Sequence, residues 1–443
     1  MYKNSSGWAA VGVLAFAVAV GTLQMTVVVP LLPLLQRQLG APLTSVSWTL
    51  TAGLLSGAVA IPLLSSLGDM YGRRRVSLAA LALLVAGSAL SALSTALAPI
   101  IVGRVLQGAA APLLPLAMGL ARQGLPGHRL PTAIGVLSAT IGVGSGGGMI
   151  LAGLLDGDYR AVFWTLTGLG ALSFALVAAV VREPRPSRAA GRPDLAGAAL
   201  VSVWLVCLLL AVSKGGAWGW TSPLTLGLLC AAAAVAAVWV LTARRTAAPL
   251  IEIPMLLHRG TAGATVASFL LGFALFAAIT TLSAVAQGTL GASVLQVGLY
   301  LLPTTVLMLA VSVLAGPLMR RFTASALVAC GSVLVTAAAL WLVLSRAGSD
   351  LYGAAAVLGL GIGLGYAALG TMAVEHVEPA KTAAAGGVNA LVRVVGSSLA
   401  GAVGAVLLSS GGAGWSFGSA AVAALLAALF ATIYGDFSRK EMA

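Results

Sequence analysis

Asp69, Gly72, Arg73, Arg74 and Arg75 form the only dense charge cluster in the first hundred residues, and it sits between two long apolar runs. A carboxylate and three guanidiniums cannot rest in hydrocarbon, so this stretch marks where two spanning segments meet water. Only two cations fall well inside apolar segments, Arg104 and Arg393. Intramembrane arginines are costly, face the interior of a helix bundle and read as functional, the alternative being that carbonyls and waters satisfy both structurally. Gln107 and Gly108 follow Arg104 at helical spacing, and Gly386, Asn389, Gly396 and Ala400 share a face with Arg393. Those faces are small and polar, as a cavity wall or a close helix contact requires. The chemistry on offer is ion pairing and anion recognition. An enzyme would need clustered histidines, cysteines or carboxylates. Three scattered histidines and three cysteines within apolar runs do not supply them, so no catalysis, metal or cofactor is expected.

The elements that must position these residues follow from composition. With 60% hydrophobic and 8% charged residues, a chain of 443 cannot clothe a water-facing surface. The apolar runs number fourteen, at about 8–35, 46–67, 76–97, 99–121, 132–155, 161–181, 195–213, 223–243, 261–285, 294–318, 324–344, 351–374, 383–408 and 417–434, each near the length that crosses a bilayer. Pro99 marks the junction between segments 3 and 4. When the loops are assigned alternately to two faces, 18 of the 24 Lys and Arg residues fall on one face. That bias puts both termini in the cytosol and the chain in a cell membrane. The net charge of +13 is spread over these loops, which argues against nucleic acid as a partner. The expected partners are a small-molecule substrate and the lipid bilayer, and the expected state is a monomer.

Polar stretches at 182–194 and 243–260 enclose segments 7 and 8 and leave six segments on either side. The expected division is therefore a first six-helix bundle at 1–181, a linker with two extra helices at 182–260, and a second bundle at 261–443. Segments 7 and 8 are expected to be peripheral. The halves echo each other, since Leu67-Gly68-Asp69 through Arg74 and Gly316-Pro317 through Arg321 both follow the second helix of a half. Repeated halves with a binding site between them are a common transporter design.

Several stretches together carry a family likeness. They are Leu67-Gly68-Asp69-x-x-Gly72-Arg73-Arg74, then Arg104-Val105-Leu106-Gln107-Gly108, then Gly135, Gly144, Gly148 and Gly153 in segment 5. Tyr159-Arg160, the lead-in from Pro249-Leu250-Ile251 to Arg259, and Arg393-x-x-Gly396 follow in order. The chain resembles major facilitator superfamily transporters, and most resembles their fourteen-helix drug:proton antiporter branch. The resemblance implies an all-α membrane fold of two six-helix bundles plus two central helices, exporting an amphipathic compound by alternating access. It implies that Asp69, Gly72, Arg73 and Arg74 gate the cytosolic side, with Asp69 facing the positive N-terminal end of segment 13. Gln24, Arg104, Gln107, Met149, Asn389 and Arg393 are the candidate cavity residues, and Gly135, Gly144, Gly148 and Gly153 the helix-packing glycines.

Two departures from the family pattern bear on mechanism. Met149 stands where the family has a proline, removing a bending device and offering a soft apolar wall to ligands. Gln24 stands where the family stretch has an aspartate, and all eleven acids map to loops or helix ends. Protons as a coupling partner are thereby in doubt, and the alternative is a proton-independent facilitator or a lipid-moving member of the same fold. His376, beside Glu375, is a candidate substitute proton site. The absence of an intramembrane acid beside two intramembrane arginines points to an anionic substrate. The cluster Gly142-x-Gly144-x-Gly146-Gly147-Gly148 lacks a following Lys-Ser/Thr, so it is a helix-packing surface rather than a phosphate loop. Phe269, Phe273 and Phe276 fall at helical spacing on segment 9 and read as a packed or lipid-facing stripe, the alternative being a substrate-contacting one.

Overall fold

Hydrocarbon offers no water to satisfy backbone amides, so apolar runs of this length close their hydrogen bonds internally as helices. The computed structural model describes residues 4–155, 158–183, 194–246, 249, 259–344, 348–375, 377 and 382–441. Most of the 182–194 linker, most of the lead-in from Pro249, His258 and His376 lie outside the described residues. Among those described there is no strand. The helices of the first half are α1 (Asn4–Thr26), α2 (Val28–Leu39), α3 (Leu43–Val46), α4 (Trp48–Tyr71), α5 (Arg73–Leu93), α6 (Leu97–Gly108), α7 (Leu113–Gly124), α8 (Leu130–Leu154) and α9 (Tyr159–Val180). Then come α10 (Leu195–Trp218) and α11 (Pro223–Ala243). The second half holds α12 (Arg259–Gly288), α13 (Val294–Met319), α14 (Ala324–Leu344), α15 (Gly348–Val374), α16 (Thr382–Gly411) and α17 (Ala413–Glu441).

Thirteen helical stretches among the described residues are long and apolar enough to cross a membrane. A fourteenth, α13, has a shorter apolar window, Leu295–Val311. Every expected segment therefore has its helix. Segment 1 is broken at Val27 into α1 and α2, three residues before Pro30, whose missing N–H cannot continue the ladder. Segment 4 is broken between α6 and α7 by a turn at 109–112 that ends on Pro112. Pro99 does not mark a boundary: α5 ends at Leu93, and Pro99 lies in the first turn of α6, where no amide donor is needed.

The two halves pack along two seams. α8 runs along α13 and touches α15, while α4 and α7 meet α16. The extra pair divides unevenly. α11 packs on α10 and is mostly exposed on its other faces. α10, expected at the periphery, packs against α4 of the first half and α16 of the second. Val201 and Leu205 of α10 join Ala58 and Ile61 of α4 and Val388 and Leu391 of α16 in one apolar cluster. At the other end of α10, Lys214 Nζ donates to Ser47 Oγ at 2.8 Å and lies 4.7 Å from the Trp48 ring centre. One extra helix is thus a strut between the halves.

Candidate functional site

The charge cluster at Asp69 folds into a closed knot at the basic end of the first half. Gly72 carries φ +107°, a backbone state open to glycine, and this lets α4 turn directly into α5. Arg73 is then buried and its Nε and Nη2 both reach Asp69 Oδ1 at 2.7 Å. Arg73 Nη1 donates to Gly119 O at 2.9 Å, across a surface where any side chain on Gly119 would meet the guanidinium. Glu183, which sequence reasoning did not single out, accepts from the backbone N–H groups of Arg73 and Arg74 at 3.0 and 3.1 Å. A carboxylate there compensates the positive end of α5. Arg74 reciprocates by donating to Val181 O and Ala178 O at the carbonyl end of α9, both at 2.7 Å. The side chains that open α16, toward which Asp69 was expected to point, lie outside the described residues.

Arg104, Gln24 and Gln107 form a second knot, deep in the first half. All three are fully buried. Arg104 Nη1 donates to Gln24 O at 2.9 Å, to Gln24 Oε1 at 2.7 Å and to Gln107 Oε1. Its Nε donates to Thr49 O at 3.1 Å, and Gln107 Nε2 donates to Ser88 Oγ at 3.0 Å. Nη2 lies over Gly53, whose missing side chain leaves room for it. These contacts tie α1, α4, α5 and α6 together. In this conformation none of the three side chains lines open space, so they brace the bundle instead of walling a cavity.

The glycines of α8 sort onto two faces. Gly144 and Gly148 press on Thr22, Leu23 and Thr26 of α1, and Thr26 Oγ1 donates to Gly144 O at 3.2 Å. Gly142, Gly146 and Gly153 press on Met308, Thr305 and Leu295 of α13, in the other half. A Cβ on Gly153 would stand 2.8 Å from Leu295 Cα. Glycine on both faces lets α8 sit wedged between its own bundle and the next. Gly135 is buried near the start of the same helix. Met149 is buried with Leu282, Val297, Leu301 and Phe417 of the second half. It fills the seam and does not form the ligand-facing wall expected of it.

Arg393 has a different setting. Its stem crosses α12 at Gly272, where a Cβ would come within 2.7 Å of Arg393 Cγ. The guanidinium then lies over the ring of Tyr366 on α15, 4.8 Å from its centre. Tyr366 is 2% exposed, whereas Arg393 is only partly buried. Among the described residues the Arg393 side chain has no hydrogen bond or ion pair. Asn389, one turn away, is buried and donates to Ala264 O of α12 at 3.5 Å.

Beside this pair the halves touch. Met118 of α7 touches the glycine surfaces of both Gly370 on α15 and Gly386 on α16. Tyr366 lies about 6 Å and Arg393 about 10 Å along their helices from those contacts, at 1.5 Å per residue. Ser65 of α4 abuts Gly387, and Arg122 of α7 donates to Val374 O and Val377 O at 3.1 and 3.0 Å, bonding the halves at the carbonyl end of α15. The arrangement is a partly accessible cation one to two helical turns from contacts between the halves. Met118, Arg122 and Tyr366 were missed by sequence reasoning, because their roles arise only where distant helices meet. Phe269 and Phe273 line a separate apolar groove among α12, α16 and α17, opening beside the exposed Trp415 and Val422.

A family model described as Major Facilitator Superfamily matches residues 14–400 and 264–441. The chain is 31% identical over 407 residues to the tetracenomycin C resistance and export protein of Streptomyces glaucescens, covering 89% of this chain and 75% of that one. It is 28% identical over 378 residues to the multidrug resistance protein Stp of Mycobacterium tuberculosis, covering 84% and 70%. A third relative, the tetracycline resistance determinant of Streptomyces rimosus, is 28% identical over 212 residues, covering 46% of this chain and 60% of that one. Among solved structures, the human organic anion transporter MFSD10 (TETRAN) superposes with TM-score 0.73 over 96% of this chain and 99% of its own. At 16% identity that likeness concerns the fold alone.

Proposed function

This chain belongs to the Major Facilitator Superfamily, and we propose that it exports a small amphipathic compound, drug- or antibiotic-like and carrying an acidic group, by alternating access. It is a multi-pass membrane transporter of small molecules and not an enzyme, and relatives of it are named for resistance to drugs and antibiotics, one of them also for export. The observation that carries the acidic group is Arg393, a guanidinium inside a spanning helix with no hydrogen bond or ion pair among the described residues. Guanidinium stays charged and favours planar carboxylate partners. Within the described spans the only carboxylates are Asp69 and Asp350, each near a helix end, so an anionic group entering between the halves meets no opposing charge.

The excess of basic residues at the Asp69 end supports a cytosolic assignment for that end. On this reading the conformation is closed to the cytosol by Met118, Arg122 and the Ser65–Gly387 contact. Release of those contacts, with closure at the far end, would carry the site to the other face. The first and second halves rock on the α8–α13 seam, with α10 as a strut. The protein works as a monomer in the cell membrane with both termini in the cytosol.

One observation favours a second reading of the energetics. Gln24 holds Arg104 without a titratable proton, so proton antiport lacks a carrier in the knot. A proton-independent facilitator, or a lipid-moving member of the fold, fits that feature. Proteoliposomes loaded with an aromatic carboxylate such as 2-naphthoate distinguish the two. Efflux that rises with an imposed pH gradient supports coupled export. Efflux unchanged by the gradient supports facilitation, and no protein-dependent efflux overturns both.

A further inference from the structure

We infer that Tyr366 is a positioning residue for substrate recognition, holding the Arg393 guanidinium over its ring face so that the N–H donors are left for a planar anionic group. The inference rests on the reading of Arg393 as the anion-recognising residue. Three features of the geometry carry it.

The first is what the guanidinium lacks. An arginine at this depth ordinarily finds carbonyls, waters or a carboxylate. Arg104 finds four oxygens in its own bundle, whereas Arg393 finds none among the described residues. What Arg393 has is an aromatic face 4.8 Å away. A ring face attracts a cation without neutralising it and without consuming an N–H. The donors therefore remain free.

The second is rigidity. Tyr366 is buried, with Leu364, Ala367, Ala368 and Leu369 around it on α15 also buried. Gly363 and Gly359 press the helix onto Met308 and Thr304 of α13. The ring is thus a fixed platform. The arginine stem is fixed as well, because Gly272 and Gly396 bring α12 and α16 into backbone contact on either side of it. A guanidinium held over a fixed ring keeps its N–H groups unspent, and their planar fork matches a carboxylate or enolate with two oxygens in one plane.

The third is placement. Gly370, one turn from Tyr366, and Gly386, two turns from Arg393, both rest on Met118 of the opposite half. The pair therefore sits just above the seal that must break when the halves rock. A ligand seated on it would touch the elements that move.

The test uses the purified protein and two radiolabelled probes, 2-naphthoate and its uncharged isostere 2-naphthamide. The expected wild-type result is preferential retention of the carboxylate. Tyr366→Phe keeps the ring face and is expected to keep that preference. Tyr366→Leu is expected to lower it about tenfold, equivalent to about 1.4 kcal/mol, through weaker carboxylate retention with naphthamide retention unchanged. A fall in retention of both probes by Tyr366→Leu indicates a merely structural role and overturns the inference. An undiminished preference in Tyr366→Leu overturns it too, as does its loss in Tyr366→Phe. Failure of the underlying reading looks different: either wild type retains the probes equally, or Arg393→Ala keeps the preference.

Discussion

The two halves of this transporter each place an arginine inside a spanning helix, and they treat it in opposite ways. In the first half, Arg104 is fully buried and commits its Nε and Nη1 to Thr49 O, both oxygens of Gln24 and Gln107 Oε1. In the second, Arg393 lies over Tyr366, partly accessible, with no acceptor among the described residues. Removing an arginine that satisfies its neighbours leaves their oxygens orphaned in a low dielectric, whereas removing one that satisfies nothing leaves the fold intact. The contrast teaches that residue type and depth do not assign a role. The acceptors around the side chain do. Arg104 braces its own bundle, whereas Arg393 has no acceptor among the described residues, which is what supports its proposed part in recognising a substrate.

Mutations break or sharpen this contrast in a definite order. The largest loss of stability is expected for Arg104→Leu, which strips partners from Gln24, Gln107 and Thr49 at once. A cost of roughly 3 kcal/mol follows from several buried groups losing their bonds, read as a drop in melting temperature of the detergent-solubilised protein. Arg122→Ala comes next, because it removes two bonds between the halves and none of those within the Arg104 knot. About 1–2 kcal/mol of bias toward the closed basic end is lost. A reporter Ser65→Cys, buried against Gly387, should then react with a water-soluble maleimide roughly 5- to 30-fold faster. Glu183→Gln weakens the caps on Arg73 and Arg74, and about 1 kcal/mol of stability is expected to go with the lost charge. Arg393→Ala should move the melting temperature least, by the equivalent of about 0.5 kcal/mol or less. If Arg393→Ala proved as destabilising as Arg104→Leu, the contrast would collapse.

Much of the fold was legible in the chain. Fourteen apolar runs separated by arginine-rich loops leave few alternatives to a fourteen-helix bundle, and the arginine–glutamine spacing in segment 4 puts Arg104 and Gln107 on one face. The glycines of segment 5 were legible as a packing surface, though not their division between α1 and α13. Partnership across long sequence distance was not legible. Nothing local marks Glu183 as the cap of a helix that begins 110 residues earlier, or Arg122 as the bond to Val374. Met149 illustrates the same limit. Its chemistry suits a ligand wall, but burial is decided by α12 and α13, which pack over it. Segment 7 reads as an unremarkable apolar helix, and its role as a strut depends on Ser213 and Lys214 meeting Thr51 and Ser47.

The central claim is that Arg393 is what this transporter uses to recognise an acidic substrate. Its most direct measurement is efflux of 2-naphthoate and 2-naphthamide from proteoliposomes containing wild type, Arg393→Ala or Arg393→Lys at matched protein density. Wild type should expel the carboxylate faster than the amide. Arg393→Lys should keep part of that preference, since it keeps the charge but loses the fork. Arg393→Ala should expel both at the same rate. An Arg393→Ala protein that still favours the carboxylate as strongly as wild type would contradict the account.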